Sequence, residues 1–306
     1  MSKIKKHKVL FICSVALFLF AFLSSFDKMN FASEALNEKS YTIEVDSIER
    51  EYLLHIPKDL GTNAPLVIVY HGYSGNAYET SQSTGFNQLA DKNKFLVCYP
   101  QGTIDKSGNA FWQVGYDFHK DFKVDDVKFT NKLIKVLQEN FSISKKNVFI
   151  TGFSNGGDFC NLLTCKKQRS FKAAAPIISC FMKEIYDDCK DAKSIPTLML
   201  NGTLDPITYW SGDLENNQGY GPYIATQKMI DFRINQIQYD SIIKDTVKSK
   251  NLEEKTFVAV DKYINTKTKL QVLMYSYING KHESPDYLNL EEKIWRFFES
   301  YLEIEM

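Results

Sequence analysis

Two hydrophobic periods alternate along most of the chain. Seven short runs, "REYLLHIP", "PLVIVYHG", "FLVCYPQG", "NVFITG", "FKAAAPII", "PTLMLNG" and "LQVLMYSYI", are apolar and rich in β-branched or aromatic residues. Between them, "TGFNQLADKN", "DDVKFTNKLIKVLQEN", "NGGDFCNLLTCKK", "ATQKMIDFRINQ" and "LEEKIWRFFESYLE" carry apolar residues three and four apart. The first pattern predicts strands and the second helices that bury one face. Strands alternating with helices build a mostly parallel central sheet with helices on both faces, so the expected class is α/β. No repeat and no Pro/Gly/Ser linker interrupts the pattern, and residues 38–306 read as one domain. The segment from Asp205 to about Leu270 is more polar, contains "LENNQGYG", and is expected to form loops and a partial lid over one edge.

Residues 1–35 follow another rule. Lys3, Lys5, Lys6 and Lys8 precede an uncharged apolar run over residues 9–26, which is an export signal. Its length also suffices to span a bilayer, so a cleaved signal peptide and an uncleaved anchor both stand, and the expected location is extracytoplasmic. Ser33-Glu34-Ala35 has small residues suited to cleavage, and Cys13 lacks a lipobox.

Charge narrows the partners. Lys+Arg and Asp+Glu balance at 37 each, which argues against nucleic acid. Export permits disulfides among the five cysteines beyond Cys13. Cys98, inside "FLVCYP", reads as a buried free thiol. The strand and helix order pairs Cys165 with Cys189 first and Cys160 with Cys180 second. No CxxC or CxxH spacing marks a metal site, and none is expected.

The chemistry centres on "VFITGFSNGGDF". Gly152-Phe153-Ser154-Asn155-Gly156 fits the G-x-S-x-G turn, in which flanking glycines allow a tight strand-to-helix corner that exposes a serine hydroxyl. The following amides lie at a helix N-terminus, where negative charge is welcome. A serine nucleophile needs a base, and the chain has five histidines. His7 belongs to the export signal, His55 to an early edge strand, and His119 to the polar stretch "YDFHKDFK". His282 follows the strand "LQVLMYSYI" and precedes the last helix, the position expected of the base. Asp205 ends "PTLMLNGTLDP" and is the expected acid. Asp187, Asp188 and Asp191 lie at the wrong end of that strand, and Asp158 is too near Ser154 in sequence. The corner "VIVYHGYSGNA" offers the Tyr73 amide as a partner for that of Asn155 in an oxyanion hole, with His71 as scaffold or alternative base. Trp112 could line the substrate pocket or plug the core. Asp125 and Asp126 read as the cap and first turn of a helix.

Together "REYLLHIP", "PLVIVYHGYSGNA", "YPQG", "VDDV", "TGFSNGG", "NGTLDPI" and "GKHESP", in this order, resemble the secreted polyhydroxybutyrate depolymerase and feruloyl esterase branch of the α/β-hydrolases. The resemblance runs from about Arg50 to Phe298. It implies an α/β-hydrolase fold and carries nucleophile, acid and base onto Ser154, Asp205 and His282. It departs at Ser284, where the branch has a tryptophan in His-x-Trp-Pro. The expected activity is carboxylic ester hydrolysis through an acyl-enzyme, without cofactor or metal, on a small or polysaccharide- or polyester-linked ester. A peptidase or acyltransferase with the same triad, or an inactive binding protein on this scaffold, are the alternatives. The membrane enters only through the possible N-terminal anchor.

Overall fold

In the computed structural model the described residues are 38–166, 170–189, 192–250 and 255–303, so the export signal lies outside them. The middle of the sheet is built from the most apolar segments. Strands β1 (Glu38–Val45), β2 (Ile48–His55), β3 (Ala64–Tyr70) and β4 (Leu96–Pro100) come first, followed by a short ribbon of β5 (Thr103–Ile104) and β6 (Ala110–Phe111). Then come β7 (Ile143–Phe153), β8 (Ala173–Ile177), β9 (Thr197–Gly202), β10 (Ser241–Lys248), β11 (Phe257–Ile264) and β12 (Gln271–Ile278). The sheet order is β1-β2-β4-β3-β7-β8-β9-β12-β11-β10. From β4 to β12 all neighbours run parallel, and the outer pairs at both ends are antiparallel.

Parallel neighbours need crossovers, and the helices supply them. These are α1 (Ala77–Ser83), α2 (Phe86–Asn93), α3 (Asp126–Asn140), α4 (Asn155–Lys166), α5 (Lys183–Asp188), α6 (Thr226–Ile237) and α7 (Leu290–Glu299). Residue alternation along β3 sorts them into two layers. Leu66, Ile68 and Tyr70 pack into the core with Phe129 and Leu133 of α3 and Phe159 and Leu163 of α4. Val67 and Val69 pack into the other core, with Phe86 of α2 and Ile294, Trp295 and Phe298 of α7. Strands covered on both faces are buried along their whole length, as β4, β8 and β9 are.

Two expectations are corrected here. The segment after Asp205 is loop only as far as Ala225: α6 follows, and beyond it β11 and β10 extend the sheet antiparallel from β12. Most of β10 is exposed on both faces, so it carries no alternation to read, and Lys244, Asp245 and Lys248 suit an outer edge that must not pair further. His55 lies one strand in from the other edge, which β1 occupies, and its Nε2 is 2.9 Å from Asp91 Oδ1.

The cysteines divide likewise. Cys165, at the end of α4, is bonded to Cys189 just after α5, with Cα atoms 5.4 Å apart. A bridge across 24 residues stabilises by about 3 kcal/mol, through the unfolded chain. Cys160 and Cys180 stay free and buried, as Cys98 does. The second expected pair fails because the Cys180 thiol turns to Asp158 Oδ2 at 3.4 Å and Met182 Sδ at 3.8 Å, while Cys160 packs into the core. Sharing one end of the sheet does not align two Cβ vectors.

Candidate active site

Ser154 stands between β7 and α4 with φ +54°, a left-handed conformation that a serine adopts at a cost. The cost is held by its surroundings. Its amide donates to Ile177 O at the end of β8 (2.9 Å), and its carbonyl accepts from Asp158 N (2.9 Å). The glycines on either side are required by space: a Cβ on Gly152 would collide with the Gly156 carbonyl, and one on Gly156 with the carbonyls of Tyr70 and His71. The turn therefore presses against the end of β3.

The structure brings three of the expected side chains into one line. Ser154 Oγ lies 2.9 Å from His282 Nε2, and His282 Nδ1 lies 2.7 Å from Asp205 Oδ2. With Asp205 ionised, Nδ1–H donates to the carboxylate, which leaves Nε2 as the acceptor for the serine hydroxyl. The other Asp205 oxygen accepts the amides of Ile207 (2.8 Å) and Thr208 (2.9 Å), so the carboxylate is aimed from both sides. The loops that carry Asp205 and His282 are stitched together beyond β9 and β12. Leu204 N donates to Gly280 O (2.9 Å), Thr203 N to Tyr277 O (2.9 Å), and Asn279 N to Thr203 Oγ1 (2.8 Å). The Phe153 ring stands edge-on to the imidazole at 5.6 Å and covers one side of it.

The β3 corner lies beside the serine: a Cβ on Gly72 would be 3.5 Å from Ser154 Cβ. Gly75 N donates to Gly72 O (3.1 Å) and Ser74 N to Ala110 O (2.8 Å), with Tyr73 between them in the turn. The Tyr73 hydroxyl donates to Asp105 Oδ2 (2.6 Å). Burial alone would raise the Asp105 pKa, but hydrogen bonds from Tyr73, the Asn109 amide, His119 and the Ser107 amide hold it at about 2. His119, expected in a polar stretch, is buried and stacked 3.7 Å from the Phe111 ring.

Three expected residues take other parts. Trp112, open to both a pocket and a core reading from the sequence, is fully buried and takes the core place. Its indole N–H donates to His71 O (3.0 Å), and its backbone is clamped by the Asn155 side chain, with Trp112 N on Oδ1 (2.7 Å) and Nδ2 on Trp112 O (3.1 Å). Trp112 thereby pins the β3 corner to the start of α4. His71 Nδ1–H donates to Gly72 O (2.7 Å) and Nε2 accepts Gly102 N (2.9 Å). Burial is the main cause that lowers its pKa to about 4, so it is neutral scaffold. Asp126 is buried in an ion pair with Arg50, while Asp125 caps α3 through Lys128 N (2.8 Å). No local signal in the sequence pairs residues 50 and 126.

Asp158 sits one turn into α4. Oδ1 accepts Cys180 N (2.7 Å), and Oδ2 accepts the Tyr116 hydroxyl. Burial raises its pKa to about 6 despite these bonds. Its effect on stability has the opposite sign to that of His71. The raised Asp158 contributes stability that is complete below 3.8 and lost as pH rises through 6. The lowered His71 contributes stability that is complete above 6.5 and lost as pH falls through 4. Each amounts to about 3 kcal/mol, so in the wild type the two offset each other across this window. Asp158→Asn removes one side. Chemical denaturation from pH 7 to pH 4 is expected to show the variant losing about 3 kcal/mol more than wild type. Parallel curves would refute the assignment.

The sheet order, the serine corner at a strand end, and the two loops meeting it define the class: this is an α/β-hydrolase fold. Residues 51–215 match the family described as Esterase PHB depolymerase, and the chain belongs to that family. Among its relatives is feruloyl esterase B of Piromyces equi, 32% identical over 153 residues that make up 49% of this chain and 28% of that protein. Poly(3-hydroxyalkanoate) depolymerase C of Paucimonas lemoignei is 29% identical over 174 residues, 55% of this chain and 39% of that one. The chain thus spans well under half the length of these relatives. In structure it is similar to an acetyl xylan esterase from Aspergillus awamori, with TM-score 0.60 at 14% identity over 85% of this chain and 99% of the other. Among the described residues no helix is long and apolar enough to cross a membrane.

Proposed function

We propose that this chain is an exported serine hydrolase that cleaves carboxylic esters through an acyl-enzyme. The observation that carries the reading is the line from Ser154 Oγ through His282 to Asp205, at 2.9 and 2.7 Å. Neutral His282 takes the serine proton at Nε2 as Oγ attacks the ester carbonyl. Asp205 stabilises the imidazolium and holds its tautomer, and His282 then returns the proton to the leaving alcohol. Water, activated by the same imidazole, releases the acid in the second half. The amides of Asn155 and Tyr73 are assigned to the oxyanion, each worth roughly 2.7–4 kcal/mol in the transition state. Membership of the family and the names of the relatives support an ester as substrate. Export is supported by the N-terminal pattern of lysines before an apolar run, and agrees with a disulfide between Cys165 and Cys189.

The test is labelling by a fluorophosphonate probe alongside hydrolysis of short nitrophenyl esters, acetylated xylan, methyl ferulate and hydroxybutyrate oligomers. The reading expects labelling of the wild type at Ser154 and turnover of at least the activated esters. Folded protein that neither labels nor turns over any of them is not a hydrolase.

A further inference from the structure

A cavity of about 260 Å³ lies on the α7 side of the sheet, against the residues that precede Ser154. Gly72, Gly152 and Phe153, the backbone that surrounds the serine, form one wall, and Ser284 forms part of another. Its depth lies among Val69, Phe86, Ile177 and Ile294, all buried. We propose that this cavity is the acyl pocket, and that it takes a short aliphatic chain. The proposal rests on the ester hydrolase reading above.

Four points select that ligand. The cavity meets the site at the Gly72 corner, where the carbonyl of a bound ester must lie to reach the assigned amides. A pocket that runs into the core suits the half of the ester that stays on the serine, since the alcohol must leave before water can enter. Its hydroxyls are largely spent: Thr80 donates to Asn76 O, Thr84 to Thr80 O and Thr151 to Ala175 O, each at 2.8 Å. Glu291 on the wall adds a negative charge that repels an anionic acyl end. What remains is apolar surface, which recognises methylenes.

Ser284 is a small side chain on the cavity wall. It is half-buried, two positions after His282, on the loop that leads into α7. A larger side chain here would occupy the space next to the nucleophile and shorten the chain that fits.

The experiment measures kcat/KM for nitrophenyl acetate, butyrate, hexanoate and octanoate. In wild type the value is expected to rise by about fourfold per methylene up to the length that fills the cavity. Ser284→Leu and Ser284→Trp should lower the hexanoate-to-acetate ratio in that order, the tryptophan by at least about tenfold. Circular dichroism establishes that each variant is folded. A ratio that stays at the wild-type value in folded Ser284→Trp, or a wild type that gains nothing with length, overturns the proposal. Loss of turnover on every ester, acetate included, would instead sink the hydrolase reading. The pocket is then decided by calorimetry of nitrophenyl hexanoate with Ser154→Ala protein. Binding that vanishes on adding Ser284→Trp upholds the pocket, and binding that is absent or unaffected rejects it.

Discussion

Ser154→Ala is expected to lower kcat by about 10⁴–10⁶-fold while leaving the protein folded. The hydroxyl is small, half-buried, and bonded only through its contact with His282, so its removal disturbs little packing. On the proposed reading it removes the nucleophile, and what remains is the rate given by the assigned oxyanion amides and bound water. His282→Ala should fall in the same range, and the double variant should be no worse than either single one, because the residues act as a unit. Asp205→Asn is the more instructive case. The amide oxygen can still accept from Ile207 and Thr208, so the loop should persist. Its NH₂ then faces His282 Nδ1, which forces the proton onto Nε2 and removes the acceptor that Ser154 needs. The expected loss is about 10⁴-fold. Steady-state kinetics on nitrophenyl acetate check all three. Full turnover in His282→Ala together with none in His71→Ala would mean that the base has been misassigned.

Asp126→Asn should destabilise the fold by about 3–5 kcal/mol. Arg50 is almost fully buried, donates to Asp126 Oδ1 at 2.7 Å and Gln101 O at 3.2 Å, and lies with its guanidinium 4.1 Å above the Phe129 ring. Asparagine preserves the shape but leaves that buried charge without its anion. The consequence reaches the site, since the other Asp126 oxygen accepts Gln113 N (2.7 Å) beside Trp112. Gln101 borders His71, with its amide nitrogen 3.4 Å from Nε2. Urea denaturation at neutral pH measures the loss. Removing the stranded cation as well, Arg50→Met with Asp126→Asn, should recover most of it, because no uncompensated charge then remains and the asparagine oxygen still accepts Gln113 N. A double variant as unstable as the single one would show that packing, and not the stranded charge, sets the cost.

These two cases mark how far the chain could be read before folding. Ser154, Asp205 and His282 were legible because each follows an apolar strand and precedes a turn, and parallel topology sends all such ends to one edge. The glycines around Ser154 were legible for a local reason, the tight corner. The Arg50 partnership was not, since it spans 76 residues and an arginine in a strand shows nothing about what it meets. The same holds for Trp112, whose loop position left pocket and core equally open until the Asn155 clamp and the His71 carbonyl placed it inside.

By itself the sequence determined what depends on short-range order. The strand and helix periods set the parallel middle of the sheet, the glycine spacing set the serine corner, and the positions of Cys165 and Cys189 in the chain order allowed their bridge. Tertiary structure alone decided what depends on direction and distance. It turned the Cys180 thiol toward Asp158 and away from Cys160, and it recruited the polar segment after α6 as edge strands through backbone pairing, which needs no hydrophobic pattern. It also left open space behind Ser284. The physical reason is the same in each case: periodicity records which side of an element is buried, whereas a side chain's partner is chosen by elements that the chain brings together only once it has folded.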